Sequence, residues 1–397
     1  MLVTLSMQQP RPNALSRERR RQRRRRQVRR RRAAALGIIL ALAAGTTLGA
    51  RSVGGGDESR SAPEHVKLAV AKREKRPSLP VPTEMRGIHV TMSLASLRGK
   101  LKQYLSLPGL NAIELDIKDE NGRVGFVPES VPLARSTGAA GPFFRLKPTV
   151  RLVHEHGIYL IGRIVTFEDP VLAEQRPELA IHTRDGSVWR NDAGLGWTNP
   201  YDRRVWRYNV DLAVEAAKTG FDEIQFDYVR FPSDGDLSLI RYPGPRLQPM
   251  AWTIPAFVQY AARRLRPLGV RISIDVFGLS ATRDLGIGQL PRRLSRYVDA
   301  VYPMVYPSHF SSGEYNLPDP DAVPGRTVTL SLLDFQTALE GRRVRLTPWL
   351  QDFSLGRTYT LADVRAQIAA ARALHTHGFL LWNAEGVYDA AALLPPA

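Results

Sequence analysis

Residues Gly220–Gly235 read GFDEIQFDYVRFPSDG, and this stretch indicates the fold more clearly than any other part of the chain. A turn glycine opens it, aromatic and β-branched residues recur at alternate positions, and Pro232 ends the run. Alternation with period two that stops at a proline predicts a short strand entering a loop. Asp227 lies within this otherwise apolar strand. Because Asp is disfavoured in strands and costly to bury unpaired, we interpret Asp227 as a functional residue.

Strand-like and helix-like segments alternate on both sides of this stretch, from Arg86 to the C-terminus. Eight strands are predicted, at Gly87–Thr91, Ala112–Lys118, Tyr159–Phe167, Glu223–Phe231, Arg271–Gly278, Ala300–Tyr306, Val344–Gln351 and Phe379–Asn383. Seven helical segments lie between them, at Leu94–Ser106, Lys147–His156, Arg203–Thr219, Thr253–Leu268, Gly288–Tyr297, Val328–Leu339 and Leu361–His375. The segment Val328–Leu339 begins with enough β-branched residues to be a strand instead.

Eight strands joined by helices with right-handed crossovers predict an α/β protein with a closed (β/α)8 TIM barrel over residues 84–397. The nearly continuous apolar strands fit a sheet that is buried on both faces. A doubly wound open sheet is the alternative. The four longest loops all follow the carboxyl ends of strands, at Asp119–Arg145, Glu168–Asp202, Pro232–Trp252 and Pro307–Arg326. Long loops gathered on one face predict a cleft at that face.

The net charge of +18 is concentrated at the N-terminus, because the first 32 residues contain 13 Arg and one Glu. The rest of the chain carries 43 Lys and Arg against 37 Asp and Glu. The barrel region is therefore only mildly basic, and no specific nucleic-acid partner is predicted for it. Residues 1–32 are expected to form a disordered, arginine-rich cytoplasmic tail. Nuclear localisation or nucleic-acid binding by that tail is the alternative.

Residues 33–50, AAALGIILALAAGTTLGA, contain no charge and reach the short edge of a membrane span. A basic segment before an apolar one is typical of a cleaved signal peptide or of an uncleaved anchor. We therefore expect a protein held at the cell membrane with its barrel outside the cytoplasm, or secreted after cleavage. A buried core helix is the alternative, and the adjoining arginines disfavour it. Residues 51–83, with three consecutive glycines and several prolines, predict a flexible linker.

Several chemistries are disfavoured by what the sequence lacks. The chain has no cysteine, which excludes disulfides, thiolate metal sites and a cysteine nucleophile. It contains no GxSxG nucleophile elbow, no GxGxxG motif and no GxxxxGK[ST] phosphate loop. The pairs His154/His156 and His375/His377 are each spaced by one residue and are interpreted as surface histidines. No metal and no cofactor are predicted.

Strand alternation directs a set of polar side chains toward the barrel axis or its mouth. The candidate catalytic residues are Asp227, Asp275 on the fifth strand and Asp116 on the second. The candidate substrate-binding residues are the polar and aromatic side chains of the same strands and strand ends, namely His89, Glu114, Arg163, Gln225, Tyr228, Arg230, Tyr302, Tyr306, Trp349, Gln351, Trp382 and Asn383. Glycoside hydrolysis needs two carboxyl groups, one protonated and one ionised, and aromatic rings provide apolar platforms for sugar faces.

A structural interpretation stays open for each carboxylate. An ion pair with Arg230 or Arg163 is the structural alternative for Asp227, and an internal polar network is the alternative for Asp275. Glu114 and Asp116 would then brace a neighbouring cation. At the level of function, a non-catalytic carbohydrate-binding barrel of the cell envelope is the alternative to a glycosidase.

Six segments closely resemble a family of bacterial glycosyl-hydrolase-like barrel proteins. They are RGIHVT (Arg86–Thr91), NAIELDIKDENG (Asn111–Gly122), WTNPYD (Trp197–Asp202), GFDEIQFDYVRFPSDG (Gly220–Gly235), SIDVFG (Ser273–Gly278) and YVDAVYPMVYPSHF (Tyr297–Phe310). The resemblance runs from Arg86 to the C-terminus and implies a (β/α)8 barrel distantly similar to the α-amylase-like clan.

In that clan, an Asp ending the fourth strand is the nucleophile and an acid on the fifth strand donates the proton. The resemblance therefore implies these roles for Asp227 and Asp275. The clan's donor is normally Glu, so the shorter Asp275 departs from the pattern, and Asp116 and Glu114 stay as alternative donors. The sequence thus predicts a glycosidase acting on a cell-envelope or extracellular polysaccharide.

Overall fold

A closed parallel barrel forms the centre of the computed structural model, which describes residues 78–396. Its strands are β1 Met85–Val90, β2 Ala112–Lys118, β3 Tyr159–Val165, β4 Glu223–Asp227, β5 Arg271–Phe277, β6 Ala300–Met304, β7 Arg345–Leu346, β8 Trp349–Gln351 and β9 Gly378–Trp382. The sheet order is β5-β4-β3-β2-β1-β9-β8-β6-β7, and pairing of β5 with β6 closes the ring. Strands β7 and β8 are separated by Thr347 and Pro348 and together take the seventh of eight positions. The predicted (β/α)8 barrel is confirmed, and the open-sheet alternative is wrong.

Helices follow the strands around the outside of the barrel. They are α1 Met92–Ser96, α2 Lys100–Leu105, α3 Pro132–Ser136, α4 Leu146–Glu155, α5 Pro170–Gln175, α6 Arg203–Thr219, α7 Met250–Leu265, α8 Pro291–Leu294, α9 Pro324–Ala338 and α10 Leu361–Ala373. Short 3₁₀ turns lie at Pro177–Leu179, Leu237–Leu239, Arg266–Leu268, Pro307–His309, Glu314–Asn316, Pro320–Ala322 and Ala390–Ala392. The segment that could have been a strand, Val328–Leu339, belongs to α9, which begins earlier at a proline in its first turn.

Helix α6 shows how the sequence delivers the fourth strand. The Asp202 side chain caps its start by accepting a hydrogen bond from the Arg204 backbone N–H at 2.8 Å. Gly220 ends it with a φ of 123°, a conformation that favours glycine. The apolar side chains of α6 at helical spacing, including Val205 and Leu212, are fully buried. The chain therefore leaves the helix directly into β4.

Strand β4 is shorter than predicted and ends at Asp227. The next residue, Tyr228, has a φ of 47°, in the left-handed region that non-glycine residues rarely occupy. The Tyr228 backbone N–H donates to Asp227 Oδ1 at 2.6 Å. This local turn stops the strand, and it makes Asp227 the last strand residue at the carboxyl edge of the barrel. Strained backbone of this kind is concentrated at functional sites.

A charged group, here called the lower cluster, fills the barrel axis near the amino ends of the strands. It consists of Glu223, Arg345, Tyr159 and Tyr302, with Glu223 accepting hydrogen bonds from the other three at 2.6–2.9 Å. Tyr302, which the sequence predicted among the substrate-binding residues, belongs to this lower cluster because its hydroxyl donates to Glu223.

The end of the predicted linker contacts the barrel. The Leu79 backbone N–H donates to Asp222 Oδ1 at 2.7 Å. Leu79 and Val81 also pack against the apolar side chains at the amino end of the barrel. The arginine-rich tail, the apolar segment 33–50 and most of the linker lie outside the described residues. Within residues 78–396, no helix combines the length and the apolar character needed to cross a bilayer.

Candidate active site

Arg163 is the centre of the polar group at the carboxyl edge of the barrel. Its Nε and Nη2 atoms donate to Asp227 Oδ2 at 3.0 and 2.7 Å. Its Nη1 atom donates to Asp116 Oδ1 at 2.7 Å and lies 3.5 Å from Glu120 Oε2. One buried guanidinium on β3 therefore joins carboxylates from β2 and β4, the strands on either side of it.

Asp227 receives hydrogen bonds on both carboxylate oxygens, two from Arg163 and one from the Tyr228 backbone. Charge-assisted hydrogen bonds of this kind stabilise the ionised form of a carboxylate. Its side chain keeps 7% of its surface accessible, more than that of Asp116 at 1%. Asp227 is therefore an oriented carboxylate at the carboxyl edge of the barrel.

Asp275 has a different environment. Its Oδ1 atom accepts hydrogen bonds from Gln225 Nε2 at 2.6 Å and from Trp349 Nε1 at 2.7 Å, both neutral donors. Burial raises its pKa well above the ordinary value for Asp, and the nearby charges of Asp227 and Glu114 raise it further. Asp275 therefore holds a proton under conditions in which an exposed Asp would be ionised.

His89 lies between the two carboxyl groups of β2. Its Nδ1 atom contacts Glu114 Oε2, and its Nε2 atom lies 3.6 Å from Asp116 Oδ2. The ring stacks on Trp382 with centroids 4.1 Å apart. Burial lowers the pKa of His89 to about 4, and the Arg163 charge adds to this in spite of the carboxylates. The imidazole is therefore neutral near pH 7, with one ring nitrogen donating and the other accepting.

The carboxyl groups of β2 and its following loop titrate differently from one another. Burial raises the pKa of Glu114 well above its ordinary value and that of Asp116 to about 7. Burial also opposes ionisation of Glu120, yet the Arg163 charge and further hydrogen bonds lower its pKa. The site thus mixes protonated and ionised carboxyl groups within one cluster, which is typical of acid–base chemistry.

An aromatic group surrounds Arg230 next to this cluster. The guanidinium carbon lies 4.9 Å from the Trp197 ring centroid, 4.8 Å from Tyr228 and 4.7 Å from Phe277. Its Nη1 atom donates to Ser233 Oγ at 3.0 Å. Arg230 is buried, so cation–π contacts of this type hold it firmly in place.

Three more of the candidate substrate-binding residues are aromatic, namely Trp349, Trp382 and Tyr306. The Trp349 and Trp382 rings meet edge to face at 5.6 Å, and the Arg163 guanidinium carbon lies 5.1 Å from the Trp382 centroid. Tyr306 packs edge-on against Phe353 at 5.5 Å. Burial raises the pKa of Tyr306, and the charge of Asp275 raises it further.

Gln351 and Asn383 have their hydrogen bonds within the loops. Gln351 Oε1 accepts from the Ser308 N–H at 3.0 Å, and its Nε2 donates to the Phe353 carbonyl at 2.9 Å. Asn383 Oδ1 accepts from the Glu385 N–H at 2.9 Å. These contacts hold the loops after β6, β8 and β9.

Two residues near the site were missed by the sequence analysis. Glu168 directly follows the third predicted strand, is buried, and accepts from Asn191 Nδ2 at 2.6 Å. Its position directly after a predicted strand, where barrel active sites occur, is the sequence signal that could have identified it. Gln289 donates from Nε2 to the Asp275 carbonyl at 3.0 Å and accepts from the Phe277 N–H at 2.9 Å. It lies in a loop remote from any strand pattern, so the sequence carries no signal for it.

No group of three or more His, Cys, Asp or Glu side chains in residues 78–396 has an arrangement suited to a metal ion.

Together, the fold and the site define a (β/α)8 barrel with buried carboxyl groups and aromatic rings at its carboxyl edge. The family described as "Putative glycosyl hydrolase domain" matches residues 87–388, and the chain belongs to that family. The predicted family and enzyme class, a glycosidase, are confirmed by this match.

Three solved structures are similar to this chain over part or most of its length. A hypothetical protein from Ruminiclostridium thermocellum is 34% identical over 48% of this chain and 97% of its own, with a TM-score of 0.44. The PgaB (BpsB) glycoside hydrolase domain from Bordetella bronchiseptica is 14% identical over 78% of this chain and 98% of its own, with a TM-score of 0.55. The C-terminal domain of a "putative chitinase" from Desulfitobacterium hafniense is 13% identical over 79% and 97%, with a TM-score of 0.50. The last two likenesses concern the fold alone. Among curated proteins there is no significant match.

Proposed function

We propose that this protein hydrolyses glycosidic bonds of a cell-envelope or extracellular polysaccharide with Asp227 and Asp275 as the reacting carboxyl groups. The observation that carries the proposal is the contrast between their environments on neighbouring strands. Asp227 is paired with the Arg163 guanidinium, whereas Asp275 accepts only neutral donors on its side chain and has a raised pKa. Glycoside hydrolysis requires one ionised and one protonated carboxyl group.

In this mechanism the Asp275 carboxyl donates its proton to the glycosidic oxygen as the bond to the leaving sugar breaks. Asp227 acts from the other side as nucleophile, or as the base that takes a proton from water. Arg163 keeps the Asp227 carboxylate oriented through two hydrogen bonds. Trp349 donates to Asp275 and supports the Trp382 ring, which offers an apolar face to a sugar.

Asp116 is the second candidate for the proton donor. Its pKa of about 7 is also raised by burial, so a protonated fraction is present near neutral pH. However, Asp116 Oδ1 already accepts a hydrogen bond from Arg163 at 2.7 Å, which favours its ionised form locally. We therefore assign the donor role to Asp275 and a positioning role to Asp116.

The test is hydrolysis of a panel of polysaccharides by the full chain, with Asp227→Asn and Asp275→Asn as matched variants. Both substitutions keep side-chain volume and remove one charge or proton. Release of reducing sugar by the wild type from at least one polymer, and its loss in both variants with an unchanged melting temperature, would support the proposal. Full turnover by Asp227→Asn would refute its assignment.

A non-catalytic carbohydrate-binding barrel is the second candidate function. The low exposure of the carboxyl groups favours it, since Asp275 is 2% exposed and Asp227 is 5% exposed. Internal pairing through Arg163 also satisfies two of the carboxylates without a ligand. Retained glycan binding by Asp275→Asn, with no hydrolysis of any polymer by the wild type, would favour this function.

The proposed location is outside the cytoplasm, either anchored or secreted. Support comes from the 13 arginines that precede the uncharged segment 33–50. Expression of the full chain in a bacterium, followed by fractionation and protease treatment of intact spheroplasts, tests this. A protected protein in the soluble cytoplasmic fraction would contradict it.

A further inference from the structure

Trp252 is an unusual surface residue. Of the six tryptophans in the chain, Trp189, Trp197, Trp206 and Trp349 are at most 1% exposed, whereas Trp252 is 51% exposed. Exposure of an indole is unfavourable because it leaves a large apolar surface in water. Among the tryptophans of residues 78–396, Trp252 is therefore the one whose ring is most accessible to a ligand.

The Trp252 ring has a built support. The Arg293 guanidinium carbon lies 3.9 Å from the ring centroid, and Arg293 Nη1 donates to the Ala251 carbonyl at 3.2 Å. The Trp252 backbone N–H donates to the Pro249 carbonyl at 2.9 Å in the first turn of α7. Cation–π stacking of Arg293 thus supports the ring before any ligand arrives. We call Trp252, Arg293 and Ala251 the rim platform.

The rim platform lies at the same edge of the barrel as the acidic cluster. Trp252 is in the first turn of α7, which follows β4, and Arg293 is in α8, which follows β5. Helices of a (β/α)8 barrel begin at the carboxyl edge of the strands, where the active sites of this fold occur. The loop before α7 carries further exposed apolar side chains, at Leu237, Leu239 and Leu247.

A short piece of chain connects the platform to Asp275. Gln289 donates to the Asp275 carbonyl, and Arg293 follows four residues later. Because consecutive Cα atoms are about 3.8 Å apart, Gln289 and Arg293 are separated by at most about 15 Å. Arg293 of the rim platform therefore lies within about 15 Å of the residue that contacts the Asp275 backbone.

We propose that the rim platform is a remote polysaccharide-binding subsite, at which the exposed Trp252 ring receives the apolar face of a sugar several units away from the bond that is cleaved. The inference rests on the proposed glycosidase function. A flat, rigid aromatic ring with a polar rim matches the alternating apolar faces and hydroxyl edges of a sugar. The platform increases affinity for long chains and contributes nothing to short oligosaccharides that occupy the cleft alone.

The experiment measures binding separately from hydrolysis, in full-length protein carrying Asp227→Asn. Soluble hydroxyethyl cellulose, amylose, dextran and chitin oligosaccharides serve as probes, with affinity electrophoresis for affinity and acrylamide quenching for the accessibility of Trp252. We expect one polymer to protect the tryptophan fluorescence from quenching. Trp252→Ala should weaken binding of that polymer roughly tenfold, and Trp252→Phe should weaken it less because a ring remains. Leu333→Ala, at an exposed apolar position on α9 (43% exposed), should bind as the Asp227→Asn parent does.

Unchanged polymer affinity in both Trp252 variants would overturn the proposal, as would a Trp252→Ala variant that turns a dimer into a monomer in size-exclusion chromatography. Equal weakening by Leu333→Ala would also overturn it, because the effect would not be specific to the platform. In the active enzyme, the expected change is a higher KM for the polymer with the same kcat, and unchanged kinetics on short oligosaccharides. Failure of the proposed function is a separate result: the wild type would not hydrolyse any polymer, whatever the binding assay reports.

Discussion

The two ends of the barrel axis each carry a buried charged group, and they are built on different principles. In the lower cluster, Glu223 meets the guanidinium of Arg345 at 2.6 Å and the hydroxyls of Tyr159 and Tyr302 at 2.9 Å. One acid faces one base, and neutral donors supply the remaining hydrogen bonds. A buried charge that is paired and hydrogen-bonded in this way is compatible with a stable core.

At the upper end the charges do not balance. Arg163 alone contacts Asp116, Asp227 and Glu120, and Asp275 lies close enough to Asp227 for the two charges to repel. The excess of acid raises the pKa of Asp275, whereas Arg163 holds the Asp227 carboxylate by direct hydrogen bonds. The comparison teaches that burial alone does not distinguish structure from function; the ratio of acids to bases does.

The largest expected effect is that of Asp227→Asn at the upper end. Loss of the carboxylate removes the nucleophile or base, so we expect kcat to fall on the order of 10⁴-fold. Arg163 keeps its hydrogen bond to Asp116, so the melting temperature should change little. Initial rates on the best polymer and a thermal melt by circular dichroism measure both quantities. Unfolding of the variant in place of inactivation would mean that the upper end is structural, as the lower end is.

The matched substitution at the lower end is Glu223→Gln. It leaves the Arg345 guanidinium without its counter-charge, so we expect the free energy of unfolding to fall by about 3 kcal/mol. Urea denaturation followed by tryptophan fluorescence gives this value. Well below the melting temperature, the folded variant should hydrolyse substrate at nearly the wild-type rate. A large loss of activity in fully folded protein would break the distinction between the two ends.

Asp275→Asn is expected to lower kcat on the order of 10²-fold, because a leaving group can still depart without the protonated acid. The pH profile carries the sharper test. The acid works only when protonated, so wild-type activity should fall as the pH rises through its elevated folded pKa. The variant should lose that alkaline limb while keeping its residual rate. An unchanged alkaline limb in Asp275→Asn would transfer the donor role to Asp116.

Much of this comparison could be predicted from the sequence, because strand alternation fixes which residues point inward. The eight strand positions and the placement of Asp227, Asp275, Asp116 and Arg163 on adjacent strands follow from period-two patterns. The patterns do not predict how far along the barrel axis the end of each side chain lies. Tyr302 was predicted among the substrate-binding residues, whereas its hydroxyl donates to Glu223 in the lower cluster.

Other parts of the site depend on contacts that no local pattern encodes. The break between β7 and β8 at Pro348 and the early end of β4 at Tyr228 result from backbone conformation at single residues. Gln289 reaches Asp275 from a loop, through tertiary packing. Which of its neighbours Arg163 binds is likewise decided by three-dimensional geometry. Strand periodicity thus determines the candidates, and loop packing determines their environments.

The smallest expected effect sharpens the comparison through the pH dependence of stability. Asp116 has a pKa of about 7 in the folded protein, compared with 3.8 ordinarily, so the folded state binds its proton more tightly than the unfolded state does. Below about pH 4 both states are protonated; as the pH rises from 4 to 7 the unfolded state releases the proton first, and the free energy of unfolding falls. Asp116→Asn should therefore flatten part of the decrease in melting temperature over this range. Asp363→Asn is the control, since the Arg357 hydrogen bond lowers the Asp363 pKa to about 2, outside the window. If the melting temperature changes with pH by the same amount in wild type and Asp116→Asn, Asp116 is ionised over the whole range from pH 4 to 7. The hydrogen bond from Arg163 would then outweigh the effect of burial on this carboxyl group.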